Sequence, residues 1–351
     1  QKPGDRDLRL QAARVASWGK DFTRAIKFYQ SLFQDEPRNL EYRIELAKIL
    51  SWAGRNTESV EQYREALKVD PNNVEGRLNL ARVLSWNKQY DESLAEYTAL
   101  LEQDPRNRDA FIERARVYSW KGELDTAINL YEEILIRNPE DRDARFGKAQ
   151  SLYWSGRARE AKGILEDMQV KHPKDTDVKL TSAGVQAALG RRDVALRQLQ
   201  EIEKMQPGHG EAEAMRRSIH QDLRPTLVLG FTPSVDSDDL KIYSATAQLH
   251  FSPTPAIRSY VFTGIIPSED PRFGSATGRE FLFGSSGRVR DWLQLRGEIG
   301  ASSSVAGGDG TIGGGGATFF VNDKMQFDVD ASRRYINFIP RPTHLNISRV
   351  Q

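Results

Sequence analysis

Five tryptophans close a repeated stretch of this chain: Ser17-Trp18, Ser51-Trp52, Ser85-Trp86 and Ser119-Trp120, with Tyr153-Trp154 as a variant. Four residues before the first four stands a basic side chain, Arg14, Lys48, Arg82 and Arg116, and Gln150 precedes the last. A spacing of four makes such side chains neighbours on one face of a helix. Indole beside cation supports two kinds of chemistry. The cation can lie over the ring as a cation–π pair, with the indole sealing one structural element to the next. Alternatively, the indoles stand free as a ladder that stacks on the C–H faces of sugar rings or grips a peptide. In that case the Arg and Lys column, with the acidic Asp7, Glu41, Glu75, Asp109 and Asp143, binds hydroxyls or charged groups. A regularly spaced ladder suits a regularly spaced polymer.

Residues for covalent or metal chemistry are sparse. The chain has no Cys, which removes disulfides, thiolate chemistry and Cys-bound metal sites. His172, His209, His220, His250 and His344 are scattered, with no metal-ligand spacing. No GxSxG occurs, and the acids are spread as on solvated helical faces. The run "GDGTIGGGG" (308–316) lacks the Gly-Lys-Ser/Thr ending of a phosphate cradle. It reads as a loop entering a strand, where small residues allow curvature or close backbone approach. The expectation is a non-enzymatic protein with no catalytic residue, cofactor or metal. The net charge of +1 gives no reason to expect nucleic acid. No run of about 18 apolar residues exists, so no transmembrane helix is predicted. Gln1 as first residue fits a mature N-terminus left after signal cleavage, or a trimmed chain.

The elements that position the tryptophans are themselves periodic. Pro37, Pro71, Pro105, Pro139, Pro173 and Pro207 fall 34 apart. Ala13, Ala47, Ala81, Ala115, Ala149 and Ala183 keep the same interval, as do Tyr29, Tyr63, Tyr97 and Tyr131, continued by Leu165 and Leu199. Each repeat reads as two amphipathic helices: "EYRIELAKILSW", the turn "AGRN", then "TESVEQYREALKVD" and the link "PNN". Proline ends the unit because it has no N–H with which to continue a helix. The small Ala row lets the two helices approach closely. The pattern resembles the tetratricopeptide repeat. The resemblance implies an α-solenoid over about residues 6–209, capped by a helix at 211–221. It also implies a groove lined by the first helix of each repeat, with Trp18, Trp52, Trp86, Trp120, Trp154, Arg14, Lys48, Arg82 and Arg116 facing it. The family's carboxylate clamp needs Lys and Asn at particular columns. Here the fifth column is apolar (Leu10, Ile44, Leu78, Ile112, Phe146) and the ninth lacks Asn, which argues against that role.

After Leu223 helical periodicity stops. Apolar and polar residues alternate in "IYSATAQLHF" (242–251), "DWLQLRGEIGA" (291–301) and "MQFDVDAS" (325–332). A period of two means strands with one apolar and one polar face. Short turns are predicted at 252–256, 285–288 and 321–324, and longer loops at 267–278 and 302–311. About eight strands result, in an up-and-down antiparallel meander. Two architectures fit: a transmembrane β-barrel with its apolar face in lipid, and a soluble sheet or sandwich. Outer-membrane barrels are expected to end on an aromatic-closed strand, and the terminal "THLNISRVQ" does not.

The chain therefore reads as an α + β multidomain protein. A solenoid occupies 1–222, and a barrel or sheet domain, possibly incomplete, occupies 223–351. Tetratricopeptide repeats leading into such strands, with "ILSWAG" and "VYSWKG" in the repeats, resemble the outer-membrane exporters of cellulose and poly-N-acetylglucosamine and the YaiO-like family. The resemblance implies a bacterial outer-membrane scaffold whose repeats face the periplasm and bind a polysaccharide or partner protein in exopolysaccharide export or assembly. A barrel of about eight strands is filled by side chains, which favours anchoring over conduction. The alternative is a protein–protein scaffold, or a subunit of a surface assembly formed with further copies, with no glycan contact.

Overall fold

The computed structural model describes residues 3–235, 241–270, 274–303, 309–323, 325–333 and 344–350. Helices come first, in pairs: α1 (Pro3–Trp18) with α2 (Phe22–Asp35), α3 (Leu40–Trp52) with α4 (Asn56–Val69), and α5 (Val74–Trp86) with α6 (Tyr90–Gln103). They continue as α7 (Arg108–Lys121) with α8 (Leu124–Arg137), α9 (Arg142–Trp154) with α10 (Ala158–Lys171), and α11 (Thr176–Ala188) with α12 (Arg192–Met205), followed by α13 (Gly210–Asp222).

Each link after a proline places one polar side chain where it stops the exposed amides of the next helix from going unpaired. Asn39 accepts from the Tyr42 N–H, Asn73 from Gly76, Asn107 from Ala110, Asp141 from Ala144 and Asp175 from Val178, at 2.8–3.2 Å. His209 does the same for Ala212 through Nδ1 at 3.3 Å. Within two residues of the end of each first helix comes a residue in the left-handed region: Lys20, Gly54, Lys88, Gly122, Gly156 and Gly190. The alanine row is fully buried from Ala13 to Ala183. Where it meets the second helix, Ser59 Oγ donates to the Ala47 carbonyl at 2.6 Å and Ser93 Oγ to that of Ala81 at 2.7 Å. Tyr29, Tyr63, Tyr97 and Tyr131 fill the space between helices and are almost wholly buried.

The chain separates into two compact units, Gln1–Ser151 and Leu152–Gln351. The change from helix to strand falls between Asp222 and Thr226. The strands β1 (Thr226–Val235), β2 (Lys241–Thr254), β3 (Ile257–Asp270), β4 (Gly274–Arg290), β5 (Leu293–Ser303), β6 (Asp309–Phe320), β7 (Gln326–Arg333) and β8 (His344–Val350) form one sheet. Each pairs antiparallel with the next in sequence order, an up-and-down meander. Among the described residues β1 and β8 are not paired with each other, so the sheet is open.

The connections are tighter than the sequence suggested. "SSGR" (285–288) lies inside β4 and is no turn: Ser285 pairs with Gly297 and its Oγ lies 3.1 Å from that of Ser259. Its small polar residues serve cross-strand packing, and the turn falls at Asp291–Trp292. The expected loop 267–278 is mostly hairpin, with strand pairing running out to Asp270↔Gly274; 271–273 lie outside the described residues. Likewise β5 runs to Ser303 and β6 begins at Asp309, with 304–308 outside them. The expected turn 321–324 is irregular at 321–323, and Lys324 lies outside the described residues.

Gly308 lies outside the described residues; from Asp309 onward the glycine run sits within β6 and does not form a loop. Its reason is the polar network opposite. Arg296 Nε donates to Asp330 Oδ1 at 2.7 Å, Arg296 also donates to Thr318 Oγ1 at 2.7 Å, and Thr318 Oγ1 donates to Asp328 Oδ1 at 2.6 Å. A Cβ on Gly316 would collide with the Asp330 carboxylate and come within 2.9 Å of Arg296 Nε.

The register puts Leu227, Leu249, Val261, Phe283 and Ile299 in one cross-strand row. Rows beside it on the same face carry Leu229, Phe281, Leu295, Phe319 and Phe327. The opposite face carries His250, Tyr260, Glu298, Arg296 and Asp330. Most large side chains of the apolar face are exposed, Leu229 to 73% and Ile299 to 64%.

Within the second compact unit, sheet turns meet helices. Asp323 accepts from the Arg159 N–H and guanidinium at 2.9 and 3.0 Å. Asp291 takes Lys162 and Arg191, and Arg288 donates to the Leu189 carbonyl while lying over the Phe320 ring at 3.9 Å. No described helix is long and apolar enough to cross a membrane.

Candidate binding site on the repeats

The Ser-Trp pairs split by direction. Ser17, Ser85 and Ser119 are buried, and each Oγ turns back onto a carbonyl of its own helix: Ala13 at 2.8 Å, Arg82 at 2.6 Å and Ala115 at 3.2 Å. The adjacent indole then faces outward. Trp18 is 77% exposed, Trp120 is 38% exposed, and Trp52, Trp86 and Trp154 lie between them. The tryptophan column therefore presents indole surface to solvent at every repeat that carries it. Trp154 ends α9, with Gln150 before it in place of a cation.

The basic column is held mainly by carboxylates. Lys48 pairs with Glu45 at 3.3 Å, and Arg116 donates to both oxygens of Glu113 at 3.0 Å. Arg82 reaches Asn79 at 3.5 Å and Glu113 at 3.8 Å, and Arg14 reaches Glu41 at 3.6 Å. Of the four cation–indole pairs, only Lys48 and Trp52 stack, at 5.5 Å from the ring centroid, among the described residues. Trp52 also meets Phe22, with ring centroids 6.4 Å apart.

The partners of the basic column lie outside the aromatic and basic rows. Glu45, Asn79 and Glu113 form a sixth column, three residues before the basic one, and an acid–base pair at that spacing was there to be seen. The result is a belt of neutralised donors and acceptors beside half-exposed indoles. It suits a neutral, hydroxyl-rich or amide-rich ligand better than a highly charged one. The buried tyrosines beneath contribute no base near neutral pH, because burial raises their phenols, Tyr131 to about 12.

The tetratricopeptide-repeat family model matches residues 53–117 and 120–180. The matched residues are tetratricopeptide repeats, and the helix pairs on either side keep the same 34-residue pattern, so the helices form a tetratricopeptide-repeat solenoid. No curated protein matches the chain in sequence. Among solved structures, it resembles a tetratricopeptide repeat protein from Parabacteroides merdae, at 19% identity and TM-score 0.56, over 62% of this chain and 86% of the other. It also resembles PilW, described as a widely conserved type IV pilus biogenesis factor, at 19% identity and TM-score 0.51, over 61% of this chain and all of that one. These likenesses establish the solenoid fold.

Proposed function

We propose that the protein is a non-catalytic scaffold that holds an extended polysaccharide along its tryptophan column and is anchored in a bacterial outer membrane by its strands, in exopolysaccharide export or assembly. The observation that carries the glycan half is the recurrence of solvent-facing indoles at 34-residue intervals beside charge-neutralised polar pairs. Aromatic faces stack on sugar C–H groups, and paired Arg and Glu supply hydroxyl contacts without demanding a charged ligand. The anchoring half is supported by the exposed apolar face of the sheet, with charges gathered on the other face, the alternation that a lipid-facing strand requires. Further strands would close the open sheet into a barrel.

A protein partner in the same column is the second reading, favoured by the repeat family, whose members bind peptides and proteins. Pull-down and array binding with the full chain, compared with a Trp52→Ala/Trp86→Ala/Trp120→Ala variant, separates them. Glycan binding that the variant loses is the expected result. Absence of binding to every glycan, or binding the variant keeps, overturns the ladder. Flotation with lipid vesicles tests the anchor: a full chain that stays monodisperse in detergent-free buffer and does not float removes the membrane from the reading.

A further inference from the structure

One repeat breaks the pattern of the others, away from the tryptophan column. Its fourth position is basic elsewhere, as Arg9, Arg43, Arg77, Arg145 and Lys179, but is Phe111 in the fourth repeat. Where the residue is a cation it mostly pairs within its own repeat: Arg9 with Asp35 at 2.6 Å, Arg77 with Glu96 at 2.7 Å, Lys179 with Glu201. Glu133 occupies the position equivalent to Glu201, and with Phe111 in place of the cation it has no ion-pair partner among the described residues.

The exchange opens a cavity of about 200 Å³ floored by Phe111 and Ile134. Arg106 and Arg137 stand at its rim with no ion pair among the described residues, and Arg137 leans over the Phe111 ring at 5.6 Å. Arg114 covers the same ring at 5.2 Å. Arg108, the remaining cation of the lining, is already consumed by Asp141 and Asp143. Two unneutralised guanidiniums around an apolar floor match a carboxylate next to an aliphatic side chain. The unpaired Glu133 carboxylate is placed to accept from a peptide N–H.

We infer that this pocket, independent of the tryptophan column, is a docking site for an acidic–aliphatic peptide segment of a protein partner. The segment's aliphatic side chain sits on Phe111 and Ile134, and its carboxylate is gripped by Arg106 and Arg137. The test is fluorescence anisotropy at low salt with a labelled peptide of alternating Leu and Glu, added to the full chain, with a Leu-Lys peptide as control.

The Leu-Glu peptide binds and the Leu-Lys peptide does not. An Arg106→Glu/Arg137→Glu variant loses affinity about tenfold or more. Phe111→Arg, which restores the residue type of the other repeats and so keeps the fold, fills the pocket, pairs Glu133 and also abolishes binding. The Trp52→Ala/Trp86→Ala/Trp120→Ala variant binds this peptide as the parent does. Circular dichroism confirms that each variant is folded. No binding of the Leu-Glu peptide, or unchanged binding in both Arg106→Glu/Arg137→Glu and Phe111→Arg, overturns the site. So does displacement of the peptide by an equal concentration of inorganic phosphate, which would mark a bare anion site.

Discussion

In the repeats most large apolar side chains point inward, with Ile136 and Val170 among the exceptions. Tyr29, Tyr63, Tyr97 and Tyr131 are almost fully buried, and the exposed tryptophans are confined chiefly to one column. In the sheet the order is reversed: Leu229, Phe281, Phe283, Leu295 and Ile299 lie exposed along one face, while Arg296 and Glu298 gather on the other. A helix pair covers its apolar stripe with the next pair, so the solenoid is complete in its own solvent. The exposed apolar residues of the sheet form the face that the proposed lipid contact would cover. The two regions differ in where their apolar surface lies, and substitutions should show what each surface meets.

The largest expected effect is in the solenoid. Tyr97→Ala empties a position wholly enclosed by Leu94, Leu100, Leu101 and Val117 and should cost about 3–5 kcal/mol in urea unfolding. An unchanged midpoint would mean that the repeat core tolerates a cavity of that size. The sheet gives the next largest effect. Ile299→Arg introduces a charge on its apolar face. With lipid there, unfolding from vesicles should show a loss of about 2–4 kcal/mol. With water there, the same change should stay within about 0.5 kcal/mol, as for an ordinary surface site.

The fold was more legible than the site, for a physical reason. Helix pairs repeating every 34 residues write their small, aromatic and proline rows into the sequence, and each row corresponds to a packing or capping role found in the structure. No single residue type marks the αL position, because Lys20 and Lys88 interrupt the glycines. Strand alternation marks β2, β5 and β7, but Gly and Ser inside β4 and β6 carry the composition of turns and loops. Ser285 meets Ser259 across the strands, Gly287 lies against Ala256 and Ile257, and Gly316 leaves room for Arg296 and Asp330. At the tryptophan column, residue types and spacing were readable. Indole exposure and the carboxylates that claim each cation depend on side-chain direction, which spacing alone does not fix.

Asp141 gives a smaller, pH-dependent effect. Its carboxylate caps α9 and takes two bonds from Arg108, at 2.7 and 2.8 Å. Burial pushes its pKa up, but the Arg108 bond and the Ala144 and Asp143 amides outweigh that and leave it lowered. A lowered folded-state pKa stabilises above the unfolded value, near 4, and that stability is lost as pH falls through the folded one. Asp141→Asn keeps a cap of the type found at Asn39, Asn73 and Asn107, and should cost about 1–2 kcal/mol at pH 7. Asp141→Ala loses the cap as well, about 1 kcal/mol more. Both should unfold less steeply with acid than the parent. An unchanged acid limb in urea titrations at pH 7, 5 and 3 would show that the pair carries no proton linkage.

The smallest effect compares repeats with one another. Lys88 and Gly122 occupy equivalent turns, at φ 60° and 88°. A side chain in this region costs about 1–2 kcal/mol, and glycine adopts it freely. Glycine also loses more freedom on folding, which takes back about 0.5–1 kcal/mol. Lys88→Gly should therefore stabilise by about 0.5 kcal/mol, and Gly122→Ala should destabilise by about 1 kcal/mol. Opposite signs at equivalent positions would show that backbone conformation governs this turn. If Lys88→Gly instead destabilises, the Lys88 side chain contributes more than its strained backbone costs, and these turns are not interchangeable between repeats.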